Sequence, residues 1–333
     1  MRDIICRWKS VSLSFVFFLA LVFSVGGPAP CKSGGDAAMI TDAVGGGQFQ
    51  KSGQKAWKAA SMMQVLCGGD RVKTGKKSKM VLVFFKDNHR EILQGEAQAL
   101  VGEAGCRLEK GKKAALTKEA TPQASRYKVT AAVMPGRMSK MNVIFMKSFG
   151  NAPVSLELKS PSVTAASLPE FRWNTVKDAD GYNFSLSADT GETVWQKELK
   201  TNGLIYPSSA PGLERGRSYF WEVRALKENK ILARGSGSFR LVSEADLAEV
   251  EEAEKMFRDS TKAKPDDATP YVLLGNVYIQ KALYDKAVRL FEKMSAMRPN
   301  DLKCHEILAD LYHALGDTEK EILEVQKIGK LAK

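Results

Sequence analysis

The histidines and cysteines are the side chains best suited to hold a metal or attack a substrate, and neither set is spaced for it. His305 and His313 stand eight residues apart, about two helical turns, too far along a helix to share one zinc ion. His89 is the only other histidine. No Ser, His and acid set falls in a recognisable order, and no cysteine has a histidine neighbour in a hydrolase-like context. The stretch GDRVKTGKKS, Gly69 to Ser78, has the outline of a phosphate-binding loop and fails its spacing. Five residues separate Gly69 from Gly75, and Lys77 stands where Ser or Thr would hold magnesium. A strand and turn are expected there instead. The chain is therefore expected to carry no catalytic, cofactor-binding or metal-ligating residues.

Lysines are the other chemically suggestive group. Lys73, Lys76, Lys77 and Lys79 crowd one turn, and Lys110, Lys112 and Lys113 crowd another. Residues 27–150 hold 21 Lys and Arg against 9 Asp and Glu, so the basic excess of the whole chain sits in one region. Lysine without interleaved aromatics is a poor signature for nucleic acid, which is excluded as a partner. Two readings stay open: a solvated face, or a surface for an anionic envelope polymer or lipid headgroups.

The elements that must position these residues begin after an N-terminal segment of a different kind. Arg2, Arg7 and Lys9 precede an apolar run from Val11 to Val25, followed by small residues and prolines. That is the layout of a secretory signal peptide over residues 1–26, with a cleavage-like Ser24-Val25-Gly26. An uncleaved anchor is the competing reading, although the run is shorter than the roughly 20 residues that span a bilayer. Export places the protein in the periplasm or cell envelope. Cleavage would leave Cys31, Cys67, Cys106 and Cys304, an even number that permits disulfides. Cys67 and Cys106, both beside glycines in turn-like sequence, are one candidate pair; two buried free thiols are the alternative.

At 44% hydrophobic and 26% charged, the chain has ordinary globular material for two or three cores. Residues 27–47, rich in Gly, Pro and Ala, are expected to form a flexible leader. Residues 48–118 show short apolar runs broken by Gly and Asp. Among them Met80 to Phe85 is a strand apolar on both faces, and Asp87-Asn88 turns the chain into Glu91-Ile92-Leu93. Residues 119–152 form a connector, broken at Pro135-Gly136, with a strand expected at Val143-Ile144-Phe145. Residues 153–242 give short strands at Phe171–Asn174, Gly181–Ser187, Thr193–Leu199, Ser218–Leu226 and Gly237–Val242. Alternation such as Tyr182, Phe184, Leu186 puts one face in and one out, as in an antiparallel sandwich. From residue 243 the period becomes helical and stays so to residue 333.

Lys264-Pro265-Asp266-Asp267 recurs as Arg298-Pro299-Asn300-Asp301, an offset of 34 residues. The same offset aligns Leu274 with Leu308, Gly275 with Ala309 and Tyr278 with Tyr312. With Tyr271, Ala287, Phe291 and Pro299 at their places, the segment resembles the tetratricopeptide repeat family, in about two and a half units. Ala253, Phe257 and Pro265 fit the second half of a preceding unit, and Glu321 stands where a small residue would pack in the last. Family arrays catalyse nothing and grip a peptide or another domain, so the resemblance implies a protein partner.

Gly69, Asp70, Val72, Thr74, Gly75 and Ser78 resemble the FecR-like domain of bacterial envelope proteins, with Trp57 leading into its first hairpin. The motif is made of turns and strands and implies an exported module, not a chemistry. FRWNTVKDADGYNFSLS and YFWEVRAL resemble a fibronectin type III sandwich, with Trp173, Tyr182 and Trp221 as core aromatics. The expected fold is thus multidomain β plus α: a small FecR-like β module, an antiparallel fibronectin III-like sandwich and a C-terminal helical repeat array. The expected function is a non-catalytic envelope scaffold that binds a protein through its repeats. The rivals are a FecR-like envelope signal sensor and an accessory factor that binds cell-wall polymer.

Overall fold

The structure, a computed structural model, describes residues 35–119, 154–156, 158–159 and 162–332. The signal-peptide segment, Cys31, Pro135-Gly136 and the strand expected at Val143–Phe145 lie outside the described residues. Among those described, no helix is long and apolar enough to cross a membrane.

The first module has ten strands: β1 (Asp36–Val44), β2 (Gln48–Gln50), β3 (Lys58–Ala59), β4 (Val65–Cys67) and β5 (Arg71–Thr74), then β6 (Lys79–Phe84), β7 (Arg90–Gln94), β8 (Ala97–Gly102), β9 (Gly105–Lys110) and β10 (Leu116–Glu119). They make two five-stranded sheets, β10-β7-β6-β1-β4 and β3-β2-β5-β8-β9. Ala38, Ile40, Phe49, Val72, Met80, Leu82, Phe84 and Ala99 form the core between them. The hairpin at Asp87-Asn88 is as expected, with Asn88 in the left-handed region at φ 58.

One expectation fails here. The leader of residues 27–47 contains β1, a nine-residue strand at the second position from one edge of its sheet, paired to β6 on one side and β4 on the other. Ala37 to Asp42 are all buried. Glycines flank the strand on both sides, and its DAAMITDAV sequence lacks an apolar-polar alternation because both of its faces are covered. The module therefore begins before residue 48.

The second module holds β11 (Val154–Ser155), β12 (Leu158–Lys159), β13 (Val163–Thr164), β14 (Glu170–Trp173), β15 (Gly181–Ala188), β16 (Thr193–Leu199), β17 (Gly203–Ile205), β18 (Ser218–Lys227) and β19 (Lys230–Leu241). One sheet runs β11-β19-β18-β15-β16 with β13 also on β19, and the other runs β12-β14-β17. Every strand expected from alternation is present; four match within a residue, and the last, expected at Gly237–Val242, begins seven residues earlier as β19. Antiparallel pairing dominates; β11 and β13 are the parallel additions to β19. Trp173, Tyr182 and Trp221 are buried in the core, where both tryptophans stack with Phe184 and Tyr182 meets Trp173 edge-on. These rings fill a fibronectin-like sandwich and do not form a surface platform.

Five helices follow: α1 (Glu244–Ala263), α2 (Thr269–Gln280), α3 (Tyr284–Met297), α4 (Leu302–Leu315) and α5 (Thr318–Leu331). Their starts are written in the sequence. Ser243, Asp301 and Asp317 cap α1, α4 and α5 by accepting from backbone amides of the first turn. Pro270 opens α2, where its missing N–H costs nothing, and Gly316 ends α4 in the left-handed conformation.

Candidate functional site

The repeat positions read from the sequence come together. Gly275 on α2 faces Phe291 on α3 so closely that a Cβ added to it would lie 2.6 Å from the ring. Ala287 is fully buried, and Leu274, Tyr278, Phe291, Leu308, Ala309 and Tyr312 are buried around it and along the next unit. Tyr271 is half-buried, edge-on to Phe257 of α1 at 5.0 Å, which joins the preceding half-unit to the first full one. Pro299 closes the unit in the turn between α3 and α4, and its carbonyl accepts from His305 at 2.8 Å. His305, the counterpart of Tyr271, is a packing residue as expected, and it also meets Glu324 of α5 at 2.6 Å. Glu324 stands 34 residues after the buried Leu290, so a polar pair replaces an apolar one in the last unit. Glu321 is half-buried and lies 3.1 Å from His313.

The residues whose pattern suggested a FecR-like motif, Gly69 to Ser78, make structural bonds, and no family model matches there. Asp70, buried, accepts from Lys51 at 2.8 Å and from the Ser52 and Cys67 amides at 2.9 Å. Gly69 takes φ +93, which lets the chain turn into that network. Val72 is in the sandwich core, the Thr74 hydroxyl donates to the Gly95 carbonyl at 2.5 Å, and Ser78 donates to the Gly45 carbonyl. Gly75 lies in the same turn, where its carbonyl accepts from the Ser78 amide at 3.1 Å. These bonds pin turns together and leave no group poised for chemistry.

Cys67 and Cys106 are not paired with each other. Cys67 is disulfide-bonded, whereas Cys106 is a free thiol, as is Cys304. The partner of Cys67 therefore lies outside the described residues. β9 carries Cys106 on the opposite sheet from β4, with its amide donating to Glu91 at 2.7 Å. Burial pushes the Cys106 thiol well up, and the Glu91 carboxylate adds to the effect. Burial likewise pushes the Cys304 thiol up to about 12, with Asp301 and Glu324 adding to it. Neither environment favours a nucleophilic thiolate. Non-reducing peptide mapping is expected to recover Cys67 in a disulfide with a cysteine other than Cys106, with Cys106 and Cys304 alkylated. A Cys67–Cys106 peptide would contradict the structure.

Sequence reading missed two arrangements. The first is a buried imidazole: His89 sits between Asp87 and Glu91, 3.2 Å from the latter, and stacks on Phe84 at 4.7 Å. The Asp87-x-His89-x-Glu91 spacing after a turn was the available signal. Among the described residues, no group of three or more ligating side chains could hold a metal ion.

The second is an interface between modules. α2 packs on β1, and Met39, Met62, Val65, Val83 and Phe85 from the first module share one core with the helices. Thr269, Val272, Asn276 and Ile279 run along one side of α2, and all are buried. Thr41 and Thr269 meet hydroxyl to hydroxyl at 3.1 Å. Both turns of the 34-residue repeat are engaged as well. Asp42 forms a two-pronged pair with Arg298, the second prong at 3.1 Å, while Arg90 donates to Asp267 at 2.5 Å. Burial raises the Asp267 carboxyl, but the Thr269 amide and Arg90 outweigh it and hold the group below the usual range. The first repeat thus grips another domain, and that domain belongs to its own chain.

The far end of the array is open. Shifted by 34 residues, Val288 corresponds to Ile322 and Phe291 to Val325. The former pair is 6% and 0% exposed, the latter 51% and 42%. The first pair is packed in the helical core, Phe291 against Gly275 of α2; no described element covers the second. Leu323 is exposed beside them.

These features define a β-sandwich protein that ends in a short helical repeat array. Residues 268–301 match the tetratricopeptide repeat family. That family mediates protein–protein contact, which agrees with the intramolecular grip. A search of curated proteins finds no match. Among solved structures, CopC from Methylosinus trichosporium OB3b aligns at 21% identity over 27% of this chain and 95% of its own, TM-score 0.21. The FN1–FN3 domains of chicken CNTN1 align at 11% over 62% and 57%, TM-score 0.20. A Ruminococcus gnavus β-glucuronidase aligns at 13% over 62% and 45%, TM-score 0.20. Likenesses this slight carry no weight for function.

Proposed function

We propose that this chain is an exported, non-catalytic adaptor of the cell envelope that binds a protein partner at the open end of its repeat array. The observation that supports this reading is the 34-residue comparison: among the described residues, positions that are buried on α3 are left bare on α5. The inner side of α2 is not available, because β1 fills it. The partner this surface suits is a protein presenting an amphipathic helix, packed on α5 as α4 packs on α3. Export rests on the basic and apolar N-terminal pattern, and the FecR-like resemblance of the first module agrees with an envelope location. A photo-cross-linking amino acid at Gln326 is expected to give adducts in the envelope fraction that disappear with Ile322→Glu. Adducts indifferent to that change, or arising equally from a cross-linker on α1, would overturn the reading.

A second reading, anionic-polymer binding, is favoured by the placement of the lysines. Lys73, Gln98 and Lys110 lie side by side across β5, β8 and β9. Gly111 packs on Glu96 and Ala97, and Gly95 donates to Ser78, so the turns bearing Lys76, Lys77, Lys112 and Lys113 share one end of the sandwich. Among the described residues Glu96 is the acidic side chain at these turns, and Val44, exposed, pairs with Lys79 beside them, so the cluster suits a polyanion by its charge.

A further inference from the structure

The open face of α5 carries more than apolar area; it carries a charge pattern that is complementary to itself. Glu319, Ile322, Gln326 and Lys330 recur at spacings of three, four and four, so they share one side of the helix, with Val325, Gly329 and Leu323 flanking them. Glu319 stands at the acidic start of that stripe and Lys330 at its basic end, 11 residues or about 16 Å apart along the axis. The other charged groups of α5 are engaged within the chain: Glu321 with His313, Glu324 with His305 and Lys327, and Lys320 with Glu292. Glu319 and Lys330 make no ion pair with any described residue. Gly329 has no atom within 4 Å of a Cβ position, leaving room for a backbone to approach.

We infer that the occupant of this face is the α5 helix of a second copy, packed antiparallel about a two-fold axis near Val325. This rests on the reading of α5 as the binding end and names the partner there. Antiparallel pairing places each Glu319 against the other copy's Lys330 and brings Ile322 and Val325 of both copies into one apolar seam. An isologous contact of this kind needs a patch complementary to itself, and the stripe meets that requirement. It also extends the arrangement already inside the chain. A short turn joins α3 to α4, so those helices pack in opposite directions, as the two copies of α5 would. A single helix pair buries less surface than a permanent dimer needs, so the association is reversible and concentration-dependent.

The test is sedimentation equilibrium of the full mature chain at low to high micromolar concentrations. The wild type is expected to show a monomer–dimer equilibrium. Ile322→Glu should abolish the dimer with the helical circular dichroism and melting temperature unchanged, since the side chain is on the surface. Glu319→Lys and Lys330→Glu singly should weaken association about tenfold, and the two together should restore it to within about threefold. A wild type that stays monomeric throughout overturns the inference, as does a double variant no tighter than the singles. In either case, a Gln326 cross-link to a different protein would leave the adaptor reading standing while self-pairing falls.

Discussion

Leucine at position 287 is expected to lower the stability of the helical array by about 1–3 kcal/mol, read as an earlier urea midpoint at 222 nm. Ala287 is fully buried in the core shared by α2, α3 and α4, and its neighbour Gly275 already abuts the Phe291 ring. Three added carbons there have no void to enter and must displace Phe291 or spread α2 from α3. Repeat units lean on their neighbours, so the loss spreads along the whole array. Gly275→Leu should behave the same way, because even its Cβ would stand 2.6 Å from the ring. A first β module with a wholly separate core would be indifferent. The shared core changes that expectation: melting the helices uncovers Met39, Val83 and Phe85, so the variant should also bind a hydrophobic dye and lose solubility. A wild-type midpoint for Ala287→Leu would show that the crossing is looser than its geometry.

Asp42→Ala is expected to cost about 3 kcal/mol or more, because it strands Arg298 against a largely buried interface. The Asp42 side chain is 2% exposed and holds Arg298 with both oxygens; Lys79 at 3.8 Å is its only other ion-pair partner among the described residues. Arg298→Ala should cost somewhat less, since Lys79 remains to compensate Asp42. The informative variant removes both charges: Asp42→Leu with Arg298→Met should recover most of either loss, because a buried pair repays its desolvation only in part. A thermodynamic cycle over the four proteins by urea unfolding measures the coupling. Additive losses would mean that the two side chains act independently and that the modules are held by apolar contact alone.

The repeats were legible because a 34-residue period writes itself into side-chain size: Gly275 and Ala287 are small where helices approach, and the large Phe291 fills the space that Gly275 leaves. The second sandwich was legible because Tyr182, Phe184 and Leu186 alternate with Asn183 and Ser185, an alternation that follows from a sheet wet on one side. β1 was not legible. Thr41 and Asp42 read as loop residues until their partners are known, and those partners, Thr269 and Arg298, lie 228 and 256 residues away. No local pattern encodes a contact at that distance. One distributed trace existed: Val272 and Ile279 are apolar on a row whose counterparts in α4 are Glu306 and His313. The change from apolar to charged along equivalent positions marks where the β sheet stops covering the array. The disulfide was missed for a related reason: proximity to glycines says nothing of which sheet a cysteine belongs to, and β4 and β9 lie in different ones.

That β1 is covered by helices from the far end of the chain sets an order of events during synthesis. The sheet bearing Met39, Val83 and Phe85 can pair as soon as β7 has emerged, but α2 and the Arg298 turn do not yet exist. At ordinary elongation rates, the residues from Gln94 to Arg298 take on the order of 10–40 s to appear. Throughout that interval an apolar sheet face waits without its cover, so a nascent chain stalled before α2 should depend on a holding chaperone while a completed one does not.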